Sequence, residues 1–302
     1  MFRFRGESGL EGINSLKCPY TKNAKILLDV GGWRLGMTNW IDIDKQAKAW
    51  LKDAGFMIKK SFSKTLEIQT KSNQNDLVTE IDRKTEQFFI EKIREAYPEH
   101  KILGEEGLGD QITSTDGIVW MVDPIDGTMN FVHMQRNFAI SIGIYENGIG
   151  KIGLVYDVVH DELYHCLKGN GVYMNDTALK PLETAKVSTA IIGLNPTWVT
   201  ENKRIDPRVL GPLIKDSRGT RNYGCASLEI ANVAAGRLDA YISLRLSPWD
   251  YAAGKIMVEE LGGIVTDLRG EPLNLLDQTS VFISKHGIHK EVMENYLHNG
   301  NW

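Results

Sequence analysis

The sequence predicts an α/β fold in which helical and sheet layers share one interior, and three observations carry that expectation. An early stretch repeats apolar residues at the helical interval, a middle stretch switches to alternation with period two, and the last third alternates short strand-like runs with helices. The 302 residues suffice for one large domain or two intimate lobes, and no internal repeat or low-complexity linker divides them.

Taken in order, Trp40, Ile43, Ala47, Trp50, Leu51, Ala54, Met57 and Ile58 keep a 3.6-residue rhythm and predict an amphipathic helix. A second helical pattern runs from about Asp82, with Phe88, Phe89 and Ile93 on one stripe, and stops before Pro98. Short strands are expected over 101–103 and 119–122. From Phe138 the period becomes two, through Ile140, Ile142 and Ile144, and Glu146-Asn147-Gly148 turns the chain. Further strands over 152–156, 163–167 and 172–174 make this part an antiparallel sheet. Beyond it the pattern predicts strands over 190–194, 238–242 and 264–268. Helices are expected over 228–235, from the opening run Ser247-Pro248-Trp249-Asp250 through 261, and over 288–297.

The bulk numbers exclude several classes. The apolar fraction of 42%, charged fraction of 25% and net charge of −4 give no whole-protein field for nucleic acid or membrane surfaces. No uninterrupted apolar run approaches the roughly 18 residues of a membrane helix. Cys18, Cys166 and Cys225 are widely spaced and odd in number, which argues against a disulfide framework and is most simply read as a reducing cytoplasm. Residues 1–37 are set off as an N-terminal extension, basic at its start and rich in scattered glycines, with Met37 at its end as the candidate natural start. A genuine N-terminal arm is the rival reading.

The most informative run is Trp120-Met121-Val122-Asp123-Pro124-Ile125-Asp126-Gly127-Thr128-Met129-Asn130-Phe131. Two carboxylates three residues apart close a strand-like segment, and a Gly-Thr pair then opens a helix whose first N–H groups suit a phosphate. Paired carboxylates are costly unless something positive neutralises them, and Mg²⁺ favours such oxygen ligands. Asp82, Glu105 and Asp250 also end strands or open helices. Each alone reads better as a helix cap or a solvated charge than as a ligand.

Four motifs together resemble the inositol monophosphatase family of Mg²⁺-dependent, lithium-sensitive sugar phosphatases. They are Asp76-Leu77-Val78-Thr79-Glu80-Ile81-Asp82, Gly104-Glu105-Glu106, the run from Trp120 to Asn130, and Pro248-Trp249-Asp250-Tyr251-Ala252-Ala253-Gly254. The resemblance spans residues 38–302 and implies a layered αβαβα sandwich, of the inositol monophosphatase and fructose-1,6-bisphosphatase type, assembled as a homodimer. On that basis the domain comprises an N-terminal lobe over 38–180 and a C-terminal lobe over 181–302. The resemblance implies that Glu105, Asp123 and the carbonyl of Ile125 hold one Mg²⁺, and that Asp123, Asp126 and Asp250 hold a second. A third, weaker ion is implied near Glu105. It further implies that Thr128 and Asp82 orient and deprotonate a water, with Glu105 helping, so that no covalent phosphoenzyme forms. Glu106 carries no assigned role.

On the substrate side, Asp126, Gly127 and Thr128 are expected at the phosphate, and Gly224, Cys225 and Ala226 beside the sugar, with packing the even alternative for the last three. Many inositol-directed members carry an acid seven positions before the last signature Asp, where this chain has Ser243. Arg245, two residues on, suits a second phosphate or else a structural ion pair or subunit contact. The expected substrate is inositol 1-phosphate or a related sugar or polyol phosphate. Fructose 1,6-bisphosphate, NADP and 3′-phosphoadenosine 5′-phosphate stay open, as does a non-catalytic partner-binding module.

Overall fold

The computed structural model describes residues 38–63, 67–70 and 77–302. The N-terminal extension, Met37 and Asp76 lie outside the described residues. Asn39–Trp302 pack as one unit.

The first helix, α1 (Trp40–Ser61), begins where the Asn39 side chain accepts the Asp42 N–H, and it buries Ile43, Ala47, Leu51, Ala54 and Ile58. A small antiparallel pair, β1 (Ile68–Thr70) and β2 (Leu77–Thr79), leads into α2 (Glu80–Ala96). Thr79 and Asp82 form a reciprocal capping box there, which sets the start two residues ahead of the sequence expectation.

The next strands are β3 (Lys101–Gly104) and β4 (Ile118–Asp126), followed by the short helix α3 (Thr128–Met134). The meander then runs through β5 (Ala139–Glu146), β6 (Ile149–Asp157), β7 (Glu162–Leu167), β8 (Val172–Met174) and β9 (Thr177–Ala178). These strands form a seven-stranded sheet in sequence order, antiparallel except for the β3–β4 pair.

A second sheet follows from β10 (Ile191–Leu194), α4 (Pro207–Asp216), β11 (Gly219–Arg221), α5 (Ala226–Ala234), β12 (Ala240–Leu246), α6 (Pro248–Glu260), β13 (Ile264–Thr266), β14 (Thr279–Ser284) and α7 (His286–Asn295). Its order is β11-β10-β12-β14-β13, parallel around β10 and antiparallel around β14. The sequence patterning did not mark α4 or β14.

Three apolar interiors stack these elements into αβαβα layers. Ile43, Leu51 and Ile58 of α1 and Phe89 and Ile93 of α2 meet Trp120, Ile142 and Leu154 on one face of the first sheet. The opposite face, through Met121, Tyr145 and Val155, packs on α5 and α6, which in turn cover Tyr241, Val281 and Ile283 of the second sheet. The far face of that sheet, through Ile192, Ile242 and Phe282, carries α4 and α7. The layered α/β fold expected from the resemblance is thus the observed one.

Helix α6 lies unusually low on the first sheet. A Cβ at Gly153 would stand 2.4 Å from the Ala253 carbonyl oxygen, and one at Gly143 2.8 Å from the Ala252 Cβ. Tyr145 Oη donates to the Ala252 carbonyl at 2.8 Å, and Ser141 Oγ to the Trp249 carbonyl at 3.1 Å. Two glycines and two hydrogen bonds therefore seat the helix that carries Asp250.

No helix among the described residues is long and apolar enough to cross a membrane.

Candidate active site

The site forms where β4 ends. In an unbroken strand, residues three apart project to opposite faces. Here Asp123 pairs with Ser141 while Asp126 pairs with Ala139, so β4 carries one residue more than β5 across that interval. Pro124, lacking an N–H, falls within this bulge. The Ile125 N–H donates back to Asp123 Oδ1 at 3.0 Å. The bulge resets the alternation, so that both carboxylates serve one site.

Gly127 then takes a left-handed conformation, φ 89°, and a Cβ there would lie 3.2 Å from both the Cys225 Cβ and the Gly224 carbonyl oxygen. Only glycine meets both demands. Thr128 starts α3 and is 9% exposed. Its Oγ1 lies 3.1 Å from Asp82 Oδ1 and 3.1 Å from the Ile125 carbonyl oxygen. One hydroxyl proton serves only one of these acceptors at a time.

Asp82, wholly buried, presents its other oxygen to Thr79, which donates its N–H at 2.8 Å and its hydroxyl at 2.5 Å. Burial pushes the Asp82 carboxyl up to about 6, with Glu105 adding to the rise and the Thr79 and Thr128 donors opposing it. Asp250 sits likewise three positions into its helix, in a capping box with Ser247, whose N–H reaches Asp250 Oδ2 at 2.8 Å. For both acids the helix-cap and site readings are therefore true together.

Asp123 joins the set. Its carboxyl lies among those of Glu105, Asp126 and Asp250. Burial, then the charges of Glu105, Asp126 and Asp250, hold Asp123 well above the carboxylate range. Burial, then Asp126 and Glu105, do the same to Asp250. Asp126 is raised by burial and partly relieved by donors on α5: the Ser227 N–H and, at 3.3 Å, the Cys225 thiol. Burial beside Asp126 pushes that thiol well above its usual value, so it stays protonated as a donor.

No three acids, imidazoles or thiols among the described residues already form a closed metal cage. The carboxylates of Glu105, Asp126 and Asp250 instead crowd around Asp123. Carboxyl groups in contact need a shared proton or a cation between them. Hard oxygen donors from β4, α6 and the turn after β3 are the set that Mg²⁺ takes. The residues present therefore fit the ion that the resemblance implies.

A cavity of about 220 Å³ joins Asp126 and Asp250 to Gly224, Cys225, Ala226 and Arg245. Arg245 is exposed, Cys225 buried and Ala226 half-buried. Ser243 lies at the same wall, beside Tyr241 and Trp198. All the residues expected from sequence on this side are brought together.

Three supporting residues escaped the sequence reading. Glu86, wholly buried on α2, accepts the N–H groups of Glu106 at 2.7 Å and Leu108 at 2.8 Å, and so shapes the turn that bears Glu105. Glu229 on α5 accepts those of Tyr223 at 2.8 Å and Gly224 at 3.3 Å, and burial pushes its carboxyl up to about 7. Asn130 of α3 donates to the carbonyls of Asn137 and Tyr223, each at 2.7 Å. The available signal was an acid on an apolar helix stripe: Glu86 precedes Phe89, Ile90 and Ile93 at helical spacing, and Glu229 sits between Leu228 and Ile230.

The model of the "Inositol monophosphatase family" matches residues 39–299. An inositol-1-monophosphatase of Bacillus subtilis (strain 168) is 61% identical over 262 residues, 87% of this chain and 99% of the relative. A crystal structure of SaIMPase-II with inositol monophosphate bound superposes with TM-score 0.77 at 42% identity, covering 85% of this chain and 94% of that one. An IMPase/NADP phosphatase complexed with Mg²⁺ and phosphate gives TM-score 0.79 at 29% identity, over 85% and 95% of the two chains. With its bulged Asp123–Asp126 strand end, its paired helix-opening acids and these matches, the chain belongs to the inositol monophosphatase family.

Proposed function

We propose that the protein is a Mg²⁺-dependent phosphatase that hydrolyses inositol 1-phosphate or a related sugar or polyol phosphate by direct attack of water. The observation that carries this reading is Thr128 Oγ1 held 3.1 Å from Asp82 Oδ1, beside the carboxylates of Asp123 and Asp126. A pure binding module has no need of a hydroxyl–carboxylate pair that activates water.

Glu105, Asp123, the Ile125 carbonyl, Asp126 and Asp250 would hold Mg²⁺, which when bound neutralises phosphoryl charge and acidifies water. Thr128 donates its proton to Asp82 Oδ1 and leaves its lone pairs for the incoming water, which it thereby orients. Asp82, at about 6, is a base suited to a near-neutral proton transfer and takes the water's proton through this bond. The Gly127 and Thr128 N–H groups at the start of α3 face the phosphate. The Cys225 thiol, raised well above its usual value, is no nucleophile.

Family membership also supports two or three ions per subunit, inhibition by Li⁺, a homodimer and a cytoplasmic location. The lobes over 38–180 and 181–302 are supported by the sheets, the first ending at Ala178 and the second beginning at Ile191. Phosphate release from inositol 1-phosphate, fructose 1,6-bisphosphate, NADP and 3′-phosphoadenosine 5′-phosphate, measured side by side with Mg²⁺, tests the reading. Hydrolysis of none of them rejects it.

A further inference from the structure

Between β11 and α5 the chain turns through Asn222, Tyr223, Gly224 and Cys225, and Asn222, Gly224 and Cys225 line the alcohol side of the cavity. Two side chains grip this turn by its backbone. Glu229 Oε1 accepts the Tyr223 N–H at 2.8 Å and the Gly224 N–H at 3.3 Å. Asn130 Nδ2 donates one hydrogen to the Tyr223 carbonyl and the other to the Asn137 carbonyl, both at 2.7 Å. Gly224 stands at φ 72°, and a Cβ there would lie 3.1 Å from Asn130 Nδ2.

Glu229 occupies this place at a cost. It is 2% exposed, and its second oxygen, Oε2, is buried without a hydrogen-bond partner. A Cβ at Gly193 would come within 2.5 Å of that oxygen. Nothing in the helix core calls for a carboxyl there, since Leu228 and Ile230 on either side are apolar and buried. A buried polar group with half its capacity unmet is destabilising unless the bonds it does make are needed.

We infer that Glu229 and Asn130 form a paired clamp, positioning residues that hold the Tyr223–Gly224 peptide against the alcohol portion of the ester and so set its affinity. The inference rests on the phosphatase reading and deepens it. The clamp's hydrogen bonds go to backbone groups of Tyr223, Gly224 and Asn137. Asp126 keeps its own donor, the Ser227 N–H. Loss of the clamp should therefore weigh more on the alcohol portion than on Mg²⁺ or phosphate, although the turn also touches Gly127 and Asp126.

The test is steady-state hydrolysis of inositol 1-phosphate. Misplacing a substrate-facing turn by about 1 Å costs on the order of 100-fold, so Glu229→Ala is expected to lower kcat/KM by about that factor, with the larger share in KM. Half-activation by Mg²⁺ and inhibition by inorganic phosphate, which lacks the alcohol portion, are expected within about threefold of the parent. Glu229→Gln keeps an acceptor for both amides and should recover most of the loss. Asn130→Ala should reproduce the signature. Because both side chains act on one peptide, the double Ala variant should fall short of the product of the single effects. If Glu229→Ala fails to fold, Glu229→Gln and Asn130→Ala carry the comparison of KM with the phosphate constant.

The clamp is overturned by an unchanged KM in Glu229→Ala. Equal damage from Gln and Ala, or a phosphate constant that rises with KM, overturns it as well. A parent enzyme that cleaves no ester removes the phosphatase reading instead, and the clamp with it.

Discussion

Thr128→Ala separates the chemistry of the site from its architecture. The substitution removes a buried hydroxyl that bonds one of two acceptors, Asp82 Oδ1 or the Ile125 carbonyl, each 3.1 Å away. Asp82 keeps both Thr79 donors on its other oxygen, so the fold loses about one hydrogen bond, worth roughly 1–2 kcal/mol. The nucleophile loses its orienting group and its route to the base. General-base contributions of about 10²–10⁴ correspond to roughly 3–5 kcal/mol of barrier, more than the structural cost. Turnover should therefore fall by about that factor, while the Mg²⁺ concentration for half-activation moves little.

Thr128→Ser, which restores the hydroxyl, should return most of the rate. The Thr128 donor favours the charged form of Asp82. Losing it raises that carboxyl further, so the acid limb of kcat/KM should move to higher pH. The assay is phosphate release at saturating Mg²⁺ across pH, paired with a Mg²⁺ titration and a thermal melt. A kcat within about threefold of the parent, or turnover and Mg²⁺ affinity falling in parallel, refutes the reasoning.

Other perturbations address the frame of the site. Asp123→Asn should abolish turnover. It should also stabilise the metal-free protein, because it removes a buried carboxyl from among Glu105, Asp126 and Asp250. Calorimetry with and without Mg²⁺ reads both the gain and the lost metal-induced rise in Tm. Gly127→Ala should cost about 1–2 kcal/mol for the left-handed backbone alone, plus displacement of the Gly224–Cys225 turn that its Cβ would press at 3.2 Å. Urea melts and KM should both register it. His289 stacks on Phe282 and meets Thr266 Oγ1 at 2.8 Å, and burial holds it at about 4, below the ordinary 6.5. Above 6.5 neither the folded nor the unfolded chain protonates it. As pH falls from 6.5 to about 4 the unfolded chain binds the proton first, so stability is lost over that window and no further below it. Discounted for the ring's solvent access, the loss is about 1–2 kcal/mol, and His289→Gln should flatten this limb in melts over the same window.

Much of the architecture was legible because its elements are amphipathic. The α1 stripe through Ile43, Ala47, Leu51, Ala54 and Ile58 is the buried face observed. Alternation from Phe138 gave β5 and β6 to within a few residues. The layers came from the resemblance, since periodicity does not order sheets. Helix α4 was hidden by Gly211 and Pro212 within its span, and β14 by a polar start at Thr279 and Ser280. Asp82, Asp123, Asp126, Thr128 and Asp250 were readable at strand ends and helix starts. The bulge between Asp123 and Asp126 was not, because which face a residue takes depends on pairing with β5, a partner distant in sequence. Glu86, Asn130 and Glu229 were missed for a related reason. Their acceptors and donors are backbone groups of other segments, so even Asn130, inside a quoted motif, carried no sign of what it holds.

The close seating of α6 on Gly143 and Gly153 divides the labour of adaptation within this chain. Asp250 inherits its position from a helix pressed onto bare backbone, where even one added methyl group collides with main chain. The turn before α5 is held largely by the Glu229 and Asn130 side chains, so its exposed positions, Asn222 and Tyr223, tolerate exchange that the glycine track forbids. New leaving-group preferences should accordingly arise by mutation of the turn, while the ion-holding frame stays constant, and directed evolution toward another phosphate ester has its library positions marked out by that contrast.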